Sequence, residues 1–150
     1  MTSYVTRYSD GSASVMDIPY SIKKVTAYSS SVLFLTREGR VFALGQNVSN
    51  CLGVEGESID TPTELPISHV TDVGTSDSKT LLITEDNILY GCGGNDYTAL
   101  GLQGHGSVIR KLTVVPSRVF NHEKVLLVAP AYSFSIVVTE QSKMYLLGQK

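Results

Sequence analysis

The chain has 150 residues, of which 42% are apolar and 17% are charged, so it can bury a core and does not have the composition of a disordered chain. Its net charge of −2 supplies no electrostatic attraction to nucleic acid or to anionic lipid. No apolar run approaches the roughly 18 residues of a membrane span, and residues 1–20 lack the apolar stretch of a signal peptide. These features predict an intracellular protein, cytoplasmic or nuclear, with neither membrane nor nucleic acid as a favoured partner.

Two cysteines, Cys51 and Cys92, are too few for a disulfide framework and suit a reducing compartment. They do not form a Cys-x-x-Cys pair, and no cluster of histidines accompanies them. Cys92 stands at an apolar strand position and is predicted to lie in the core. The sequence therefore predicts no metal site and no cofactor.

In chain order, residues 1–21 form an N-terminal segment with one candidate strand, Val15–Ile18. A repeat begins at Ile22. Its first part aligns without gaps in three copies, each with an aliphatic residue at the start, another three residues later, and an apolar triplet before a threonine. The copies predict three units: repeat 1 at 22–69, repeat 2 at 70–124 and a partial repeat 3 at 125–150.

A set of residues at fixed spacing defines the repeat. A glycine follows each threonine by nine positions, and in two copies an asparagine and a Leu-Gly pair follow the glycine by two and eight positions. The residues are Thr36, Gly45, Asn47 and Gly53 in the first copy, Thr84, Gly93, Asn95 and Gly101 in the second, and Thr139 and Gly148 in the third.

Each unit is predicted to contain a β-hairpin with two buried faces. The first strands contain the consecutive apolar residues 32–35, 81–83 and 136–138. Glu38-Gly39 and Asp86-Asn87 favour tight turns after them, whereas Gln141-Ser142 predicts a looser third hairpin. Tyr90 and Tyr145 fall at equivalent positions of the second strands, which indicates packing rather than ligand stacking.

Hairpins with two apolar faces must stack face to face against neighbouring sheets. No window of the sequence shows sustained helical spacing of apolar residues, so helices should be few and short. About fifty residues per unit favours a β-propeller over a β-solenoid, whose rungs are shorter. The predicted fold class is all-β, a partial β-propeller of small antiparallel sheets.

The pattern threonine, two residues, turn residue, aliphatic-aromatic-x-apolar-Gly-x-Asn and then Leu-Gly resembles the regulator of chromosome condensation repeat. Pro62–Leu65 and Pro116–Val119 resemble the Pro-x-x-Val element of that family. The resemblance covers residues 22–150. It implies a propeller of seven four-stranded blades, of which this chain supplies about two and a half. The expectation is therefore either a fragment or a ring completed by other copies or another chain at the open edge.

The chain also departs from the family pattern. The histidine that the family carries five residues before the threonine is replaced by Ser31, Lys79 and Phe134. These three residues are predicted not to supply the hydrogen bonds that such histidines make between blades.

No catalytic constellation is present, which predicts a non-enzymatic protein. His105 has no acid or nucleophile placed beside it, and its glycine neighbours indicate a solvated loop. Sequence differences between units concentrate in the predicted loops 48–50, 55–61 and 103–110, where binding residues usually lie. The candidate partner-binding residues are Val48, Ser49, Asn50, Glu55, Glu57, Gln103, His105 and Arg110.

The leading functional prediction is a protein-interaction module that presents these loops to a protein partner. The resemblance implies a second function, guanine-nucleotide exchange on a small Ras-like GTPase, and also chromatin binding. The open edge implies a third, a structural subunit completed by another chain.

Overall fold

The computed structural model describes residues 16–76 and 78–148. Strands make up 53% of the structure and helical turns 8%, which confirms the all-β prediction. Three antiparallel sheets, called blades 1 to 3 below, follow one another along the chain, and within each the strands pair in sequence order. Blade 1 comprises β1 (Ile22–Tyr28), β2 (Ser31–Thr36), β3 (Val41–Gln46) and β4 (Ser58–Glu64). Blade 2 comprises β5 (Val70–Ser76), β6 (Lys79–Thr84), β7 (Leu89–Gly94) and β8 (Val108–Val115), and blade 3 comprises β9 (Val125–Pro130), β10 (Phe134–Thr139) and β11 (Met144–Gly148).

The helical part consists of three short turns, Val48–Asn50, Asp96–Thr98 and Ser117–Phe120. The first two occupy equivalent places after β3 and β7. The N-terminal candidate strand is not seen in the described part of the chain, because residues 16–18 have no strand structure and Val15 lies outside the described residues.

The blades stack face to face, as the predicted propeller requires. Leu33 and Leu35 of blade 1 pack in one buried cluster with Val73 and Leu82 of blade 2. A second cluster joins the opposite face of blade 2 to blade 3; its members include Leu81, Ile83 and Leu89 on one side and Val125, Val128 and Val137 on the other. Blade 2 thus presents a different face to each of its neighbours, and two sheet faces close each core.

Blade 3 departs from the prediction that both faces are buried. Val137 is fully buried against blade 2, whereas Ile136 and Val138, which point to the other face of β10, are half-buried. Leu127 and Met144 on the same face are 53% and 68% exposed. No further sheet covers this face within residues 16–76 and 78–148.

The third hairpin is as tight as the others, so the prediction that it would be looser is wrong. Gly39, Asn87 and Ser142 occupy the same turn position, with φ of 85°, 61° and 62°. The amide of Thr139 donates to the carbonyl of Lys143 at 2.9 Å, and the equivalent bond of the first hairpin measures 2.8 Å. The ladder on both sides of the turn holds Ser142 in a left-handed conformation that its sequence does not favour.

The predicted equivalence of Pro62 and Pro116 is also wrong. In blades 1 and 2 the residue before a proline closes against the first residue of the second hairpin strand. In blade 1 the amide of Leu65 donates a hydrogen bond to the carbonyl of Val41 at 2.9 Å. In blade 2 Val115 pairs with Leu89. Pro66 is therefore the counterpart of Pro116, whereas Pro62 lies inside the edge strand β4, where its missing N–H is tolerated.

Candidate interaction surface

The repeat glycines mark a close approach of two backbones. They have positive φ in all three units, and a Cβ there would lie 2.0 to 2.7 Å from a carbonyl oxygen. The contacts are Gly45 with Ser30, Gly93 with Ser78 and Gly148 with Ser133. These residues therefore serve the scaffold, and the functional surface must be sought elsewhere.

The repeat asparagines fix the loops that follow β3 and β7. Asn47 is buried; its amide donates to the carbonyls of Val54 at 2.6 Å and Gly56 at 2.7 Å, and its oxygen accepts from Leu52 N at 2.9 Å. Asn95 makes the equivalent three bonds in blade 2. Because one buried side chain bonds to the backbone at several points of each loop, the loop is held in a defined conformation.

The candidate binding residues are not all in loops. Residues 58–61 of the predicted loop 55–61 belong to strand β4. Residues 108–110 of the predicted loop 103–110 belong to strand β8. Arg110 is thus a strand residue, and this part of the prediction is wrong. Val48, Ser49 and Asn50 form the turn after β3, where Ser49 and Asn50 have φ of 56° and 55°.

Two adjoining hollows bring six of the eight candidates together. The larger, the interblade cleft, has a volume of about 640 Å³ and lies between blades 1 and 2. It is lined by Asn50, Gly53, Val54, Glu55, Pro66, Ile67, Tyr90, Arg110, Lys111 and Leu112. The second, of about 490 Å³, is lined by Val48, Ser49 and Glu57 among others and shares Asn50 and Arg110 with the cleft. Asn50 also bridges the two blades, since its amide donates to the carbonyl of Arg110 at 3.4 Å.

The other two candidates lie apart from these hollows. Gln103 lines a separate depression with Val119 and Leu146, at the boundary between blades 2 and 3. His105 is exposed between two glycines, and a Cβ at either glycine would meet open space.

A bulge in β8 forms one wall of the interblade cleft. Ile109 pairs with Gly93 and Thr113 with Gly91, so the three residues 110–112 stand opposite the single residue Cys92. Extra residues of this kind bend a strand and re-aim its side chains. The bulge leaves Arg110 and Lys111 exposed, while Leu112 is half-buried and lies against Gly53 of blade 1.

The floor of the cleft contains Tyr90. In each of the other two blades, the residue equivalent to Tyr90 contacts the residue sixteen positions before the repeat threonine. In blade 3 that residue is Glu123, a buried carboxylate that accepts hydrogen bonds from the hydroxyls of Tyr145 and Thr139 and lies 3.4 Å from the ammonium of Lys143. The hydrogen bond from Tyr145, with the others, lowers the pKa of Glu123 to about 2.

In blade 1 the equivalent contact is aromatic. Tyr20 stacks on Phe42 with ring centroids 4.5 Å apart, and the guanidinium of Arg40 lies 5.0 Å from the Tyr20 ring. Arg40 also forms a two-point ion pair with Glu64, and this bond lowers the pKa of the Glu64 carboxyl.

Among the described residues, blade 2 has no such partner. Ser68 occupies the position of Glu123 and bonds to His69 Nδ1 at 3.1 Å, and Ile88 occupies the position of Lys143. Within residues 16–76 and 78–148 the Tyr90 hydroxyl makes no hydrogen bond, and the ring is half-buried against the core of blades 1 and 2. The packing predicted for Tyr90 is confirmed. Its place in the cleft was missed, although an alignment of the residues before each repeat reveals the absent partner.

Lys79 corrects the prediction that the residues replacing the family histidine make no bonds between blades. Its side chain is buried, and its ammonium donates to the carbonyls of Ala131 at 2.8 Å and Tyr132 at 3.0 Å in the loop of blade 3. A lysine can supply several donors from one atom, which is why Lys79 bonds to both carbonyls at this boundary.

Both cysteines are buried and free, so they belong to the scaffold. Burial raises the pKa of Cys51, and burial together with the nearby Cys51 raises the pKa of Cys92 to about 12. Among the described residues no group of three or more histidine, cysteine or acidic side chains is placed to hold a metal ion. In the same part of the chain, no helical segment has the length and apolar character needed to cross a membrane.

The chain is similar in sequence to a known protein and in fold to several solved structures. No family model matches the chain. The ultraviolet-B receptor UVR8 of Arabidopsis thaliana, a protein of regulator-of-chromosome-condensation repeats, is 31% identical over 134 residues, which cover 85% of this chain and 29% of the receptor.

Solved structures agree on the fold. Human WBSCR16 superposes with a TM-score of 0.76 at 22% identity, over 89% of this chain and 34% of its own. Yeast RCC1 (Prp20), solved bound to Kap60, gives a TM-score of 0.75 at 22% identity over 89% of this chain and 31% of its own. A structure of Prp20p from Saccharomyces cerevisiae, described with its binding to Gsp1p and histones, gives 0.75 at 22% identity over 89% and 32%. The chain thus spans about a third of the proteins it matches.

The repeat spacing, the three stacked sheets and these similarities converge on one assignment. The chain is a divergent, partial array of regulator-of-chromosome-condensation-like repeats that forms part of a β-propeller.

Proposed function

We propose that this chain is a non-enzymatic protein-interaction module that binds an intracellular protein partner, in cytoplasm or nucleus, at the two hollows beside Arg110. The observation that carries the proposal is that six candidate residues from two blades converge there. Buried asparagines fix the loops, and the bulge of β8 fixes the facing wall. A rigid scaffold with exposed, unit-specific side chains is the usual arrangement of a binding surface.

Site-specific photo-crosslinking tests this proposal. A photo-reactive amino acid at Val48 or Glu57, both exposed at the second hollow, is expected to capture a discrete partner from lysate. The captured band should disappear when excess unmodified chain competes. The matched control places the same group at Glu140, which is exposed on the hairpin of blade 3. Equal capture at Glu140, or capture that excess chain does not reduce, contradicts the proposal.

A second candidate function is guanine-nucleotide exchange on a small Ras-like GTPase. It is supported by the structural similarity to yeast RCC1 (Prp20), one structure of which is described with its binding to Gsp1p and histones. Exchange works by favouring the nucleotide-free state of the GTPase, so it requires binding surfaces and no catalytic triad. Release of labelled guanine nucleotide from a panel of small GTPases tests it, and unchanged release from every member rejects it for this chain.

A third candidate, a structural subunit completed by another chain, is supported by blade 3. The exposed apolar face with Leu127 and Met144 adjoins β11, which pairs only with β10 among the described strands. Unpaired edges and apolar faces favour association. Where copies of this chain complete one another, light scattering after size exclusion is expected to show a discrete oligomer, and a monodisperse monomer contradicts completion by copies.

A further inference from the structure

We infer that the interblade cleft binds an extended peptide segment of the partner that carries an acidic side chain next to a large apolar one. This inference rests on the proposed function and names the chemistry of its ligand. Four features of the cleft carry it: an apolar floor, two cations and a tyrosine hydroxyl that have no partner among the described residues, and a strand bulge whose residues have no partner on β7.

The floor of the cleft is apolar and half-buried. Val54, Ile67, Tyr90 and Leu112 each pack against the core shared by blades 1 and 2 while keeping part of their surface in the cleft. A volume of about 640 Å³ falls within the range of pockets that bind small ligands or side chains of a peptide. Such a floor stabilises a bound leucine, isoleucine or aromatic side chain by removing it from water.

The wall of the cleft is cationic in a chain with a net charge of −2. Arg110 and Lys111 are both exposed and line the cleft, and Glu55 is the one carboxylate that lines it with them. Neither cation forms an ion pair within the described part of the chain. Unpaired cations beside an apolar floor are complementary to a carboxylate next to an apolar side chain, and they also speed encounter with an acidic segment.

Tyr90 supplies a neutral donor in the same cleft. The equivalent hydroxyl of Tyr145 donates to the carboxylate of Glu123, so a carboxylate at this distance and angle is already compatible with the repeat geometry. In blade 2 Ser68 stands in place of the acid, and the hydroxyl of Tyr90 is left without a bond among the described residues. A carboxylate brought by the partner would complete in blade 2 the contact that the chain itself makes in blade 3.

The bulge favours an extended peptide over a compact small molecule. Residues 110–112 have no paired residue on β7, and β8 is the outermost strand of blade 2. Two of the main-chain groups already accept bonds: the carbonyl of Arg110 accepts from the Asn50 amide, and the carbonyl of Lys111 accepts from the Thr113 hydroxyl. The others can bond to the backbone of a segment laid along the strand, which is how exposed sheet edges bind peptides.

The test is selection from a phage-displayed library of random dodecapeptides on the immobilised full chain. We expect enriched peptides to share Asp or Glu within one or two residues of Leu, Ile or an aromatic residue. A synthetic copy of the dominant peptide should lose at least about tenfold in affinity for the double variant Arg110→Glu, Lys111→Glu, because two attractions become repulsions. Tyr90→Phe should lose about tenfold, since it removes one hydrogen bond to a charged group. Affinity should also fall as salt is raised.

The matched control is Arg118→Glu, Lys124→Glu, which changes the net charge equally at exposed positions outside the cleft and should leave affinity unchanged. Enrichment of basic or purely polar peptides, or equal losses in the two double variants, overturns the inference. So does an unchanged affinity for the Arg110→Glu, Lys111→Glu variant.

The failure of this inference is distinguishable from failure of the proposed function. If selected peptides ignore the cleft variants while photo-crosslinking at Val48 still captures a partner, the interaction module stands and the cleft is not its peptide site. If neither experiment gives specific binding, both are wrong.

Discussion

The carboxylate of Asp72 lies 2.6 Å from the ammonium of Lys24, so the first strand of blade 2 is joined to the first strand of blade 1. The other carboxylate oxygen accepts a hydrogen bond from the amide of Val128 in blade 3 at 2.9 Å. One nearly buried side chain therefore connects all three described blades.

Removing Asp72 should destabilise the array as a whole. Asp72→Ala is expected to lower the free energy of unfolding by about 1–3 kcal/mol, because the buried amide of Val128 loses its acceptor. Lys24→Ala should cost less than Asp72→Ala, since the removed Lys24 side chain is 38% exposed and the Asp72 carboxylate keeps its hydrogen bond from the amide of Val128. Urea unfolding measures both, with Lys124→Ala, at an exposed position, as the surface control. Equal losses for Asp72→Ala and Lys24→Ala would show that the bond to Val128 contributes nothing.

Two glycines with similar φ should differ sharply in their tolerance of a side chain. Gly93 has φ of 95°, and a Cβ there would lie 2.2 Å from the carbonyl oxygen of Ser78. Gly104 has φ of 82°, and a Cβ there would have no atom within 4 Å. Gly104→Ala should cost about 1–2 kcal/mol from backbone conformation alone, and Gly93→Ala about 1–3 kcal/mol more from the clash. Thermal or urea unfolding checks the difference, and similar values for the two variants would contradict the close approach.

Lys79 should be one of the costlier lysines to replace. Lys79→Met keeps the length of the side chain but removes the donors to the carbonyls of Ala131 and Tyr132, with an expected loss of about 1–3 kcal/mol. Lys124→Met, at an exposed position, should change stability by less than about 0.5 kcal/mol. Hydrogen exchange should also show earlier opening of blade 3 in the first variant only. An unchanged stability of Lys79→Met would restore the prediction that this position makes no important contact between blades.

The stability of blade 3 should depend on pH through Glu123. Because its pKa is lowered to about 2 in the folded protein, the folded state binds fewer protons than the unfolded state below the ordinary pKa of about 4.3. The stabilisation is therefore fully present above about pH 5 and is lost as the pH falls towards 2. Melting temperatures measured from pH 7 to pH 2 should fall less steeply for Glu123→Gln than for the unmodified chain, and the variant should melt lower at pH 7.

If the melting temperature falls equally steeply with pH in the unmodified chain and in Glu123→Gln, Glu123 does not titrate as its contacts imply. Asp96→Asn, at an exposed position on the turn after β7, is the matched control.

Several features of the fold followed from local patterns. The threonine-to-glycine spacing predicted three hairpins, and each glycine has the positive φ that the close backbone approach requires. The asparagines were recognised by position, and the structure shows that Asn47 and Asn95 each hold a loop through three bonds. These outcomes were predictable because each depends on residues within about fifteen positions of one another.

The surface was predicted less well. The binding candidates Asn50, Glu55 and Arg110 do meet in one cleft, but Lys111, Leu112 and Tyr90 were not recognised as their neighbours. The reason is the bulge in β8, which sets three residues against one and has no sequence signature of its own. The mistaken match of Pro62 with Pro116 has a different cause: β4 has an equivalent bulge opposite Leu44, and the two prolines were matched by their Pro-x-x-apolar pattern alone.

The amino-acid sequence alone was sufficient for the repeat, the hairpin of each unit and the need for the sheets to stack, because hairpins with apolar residues on both faces bury them by packing against neighbours. The contacts between blades required the folded chain. Whether Glu123 or Ser68 meets a tyrosine, whether Lys79 reaches the next blade, and which cations border the cleft all depend on residues brought together from different repeats. Such contacts are fixed by how the sheets twist and pack in three dimensions, and local spacing carries no record of that geometry.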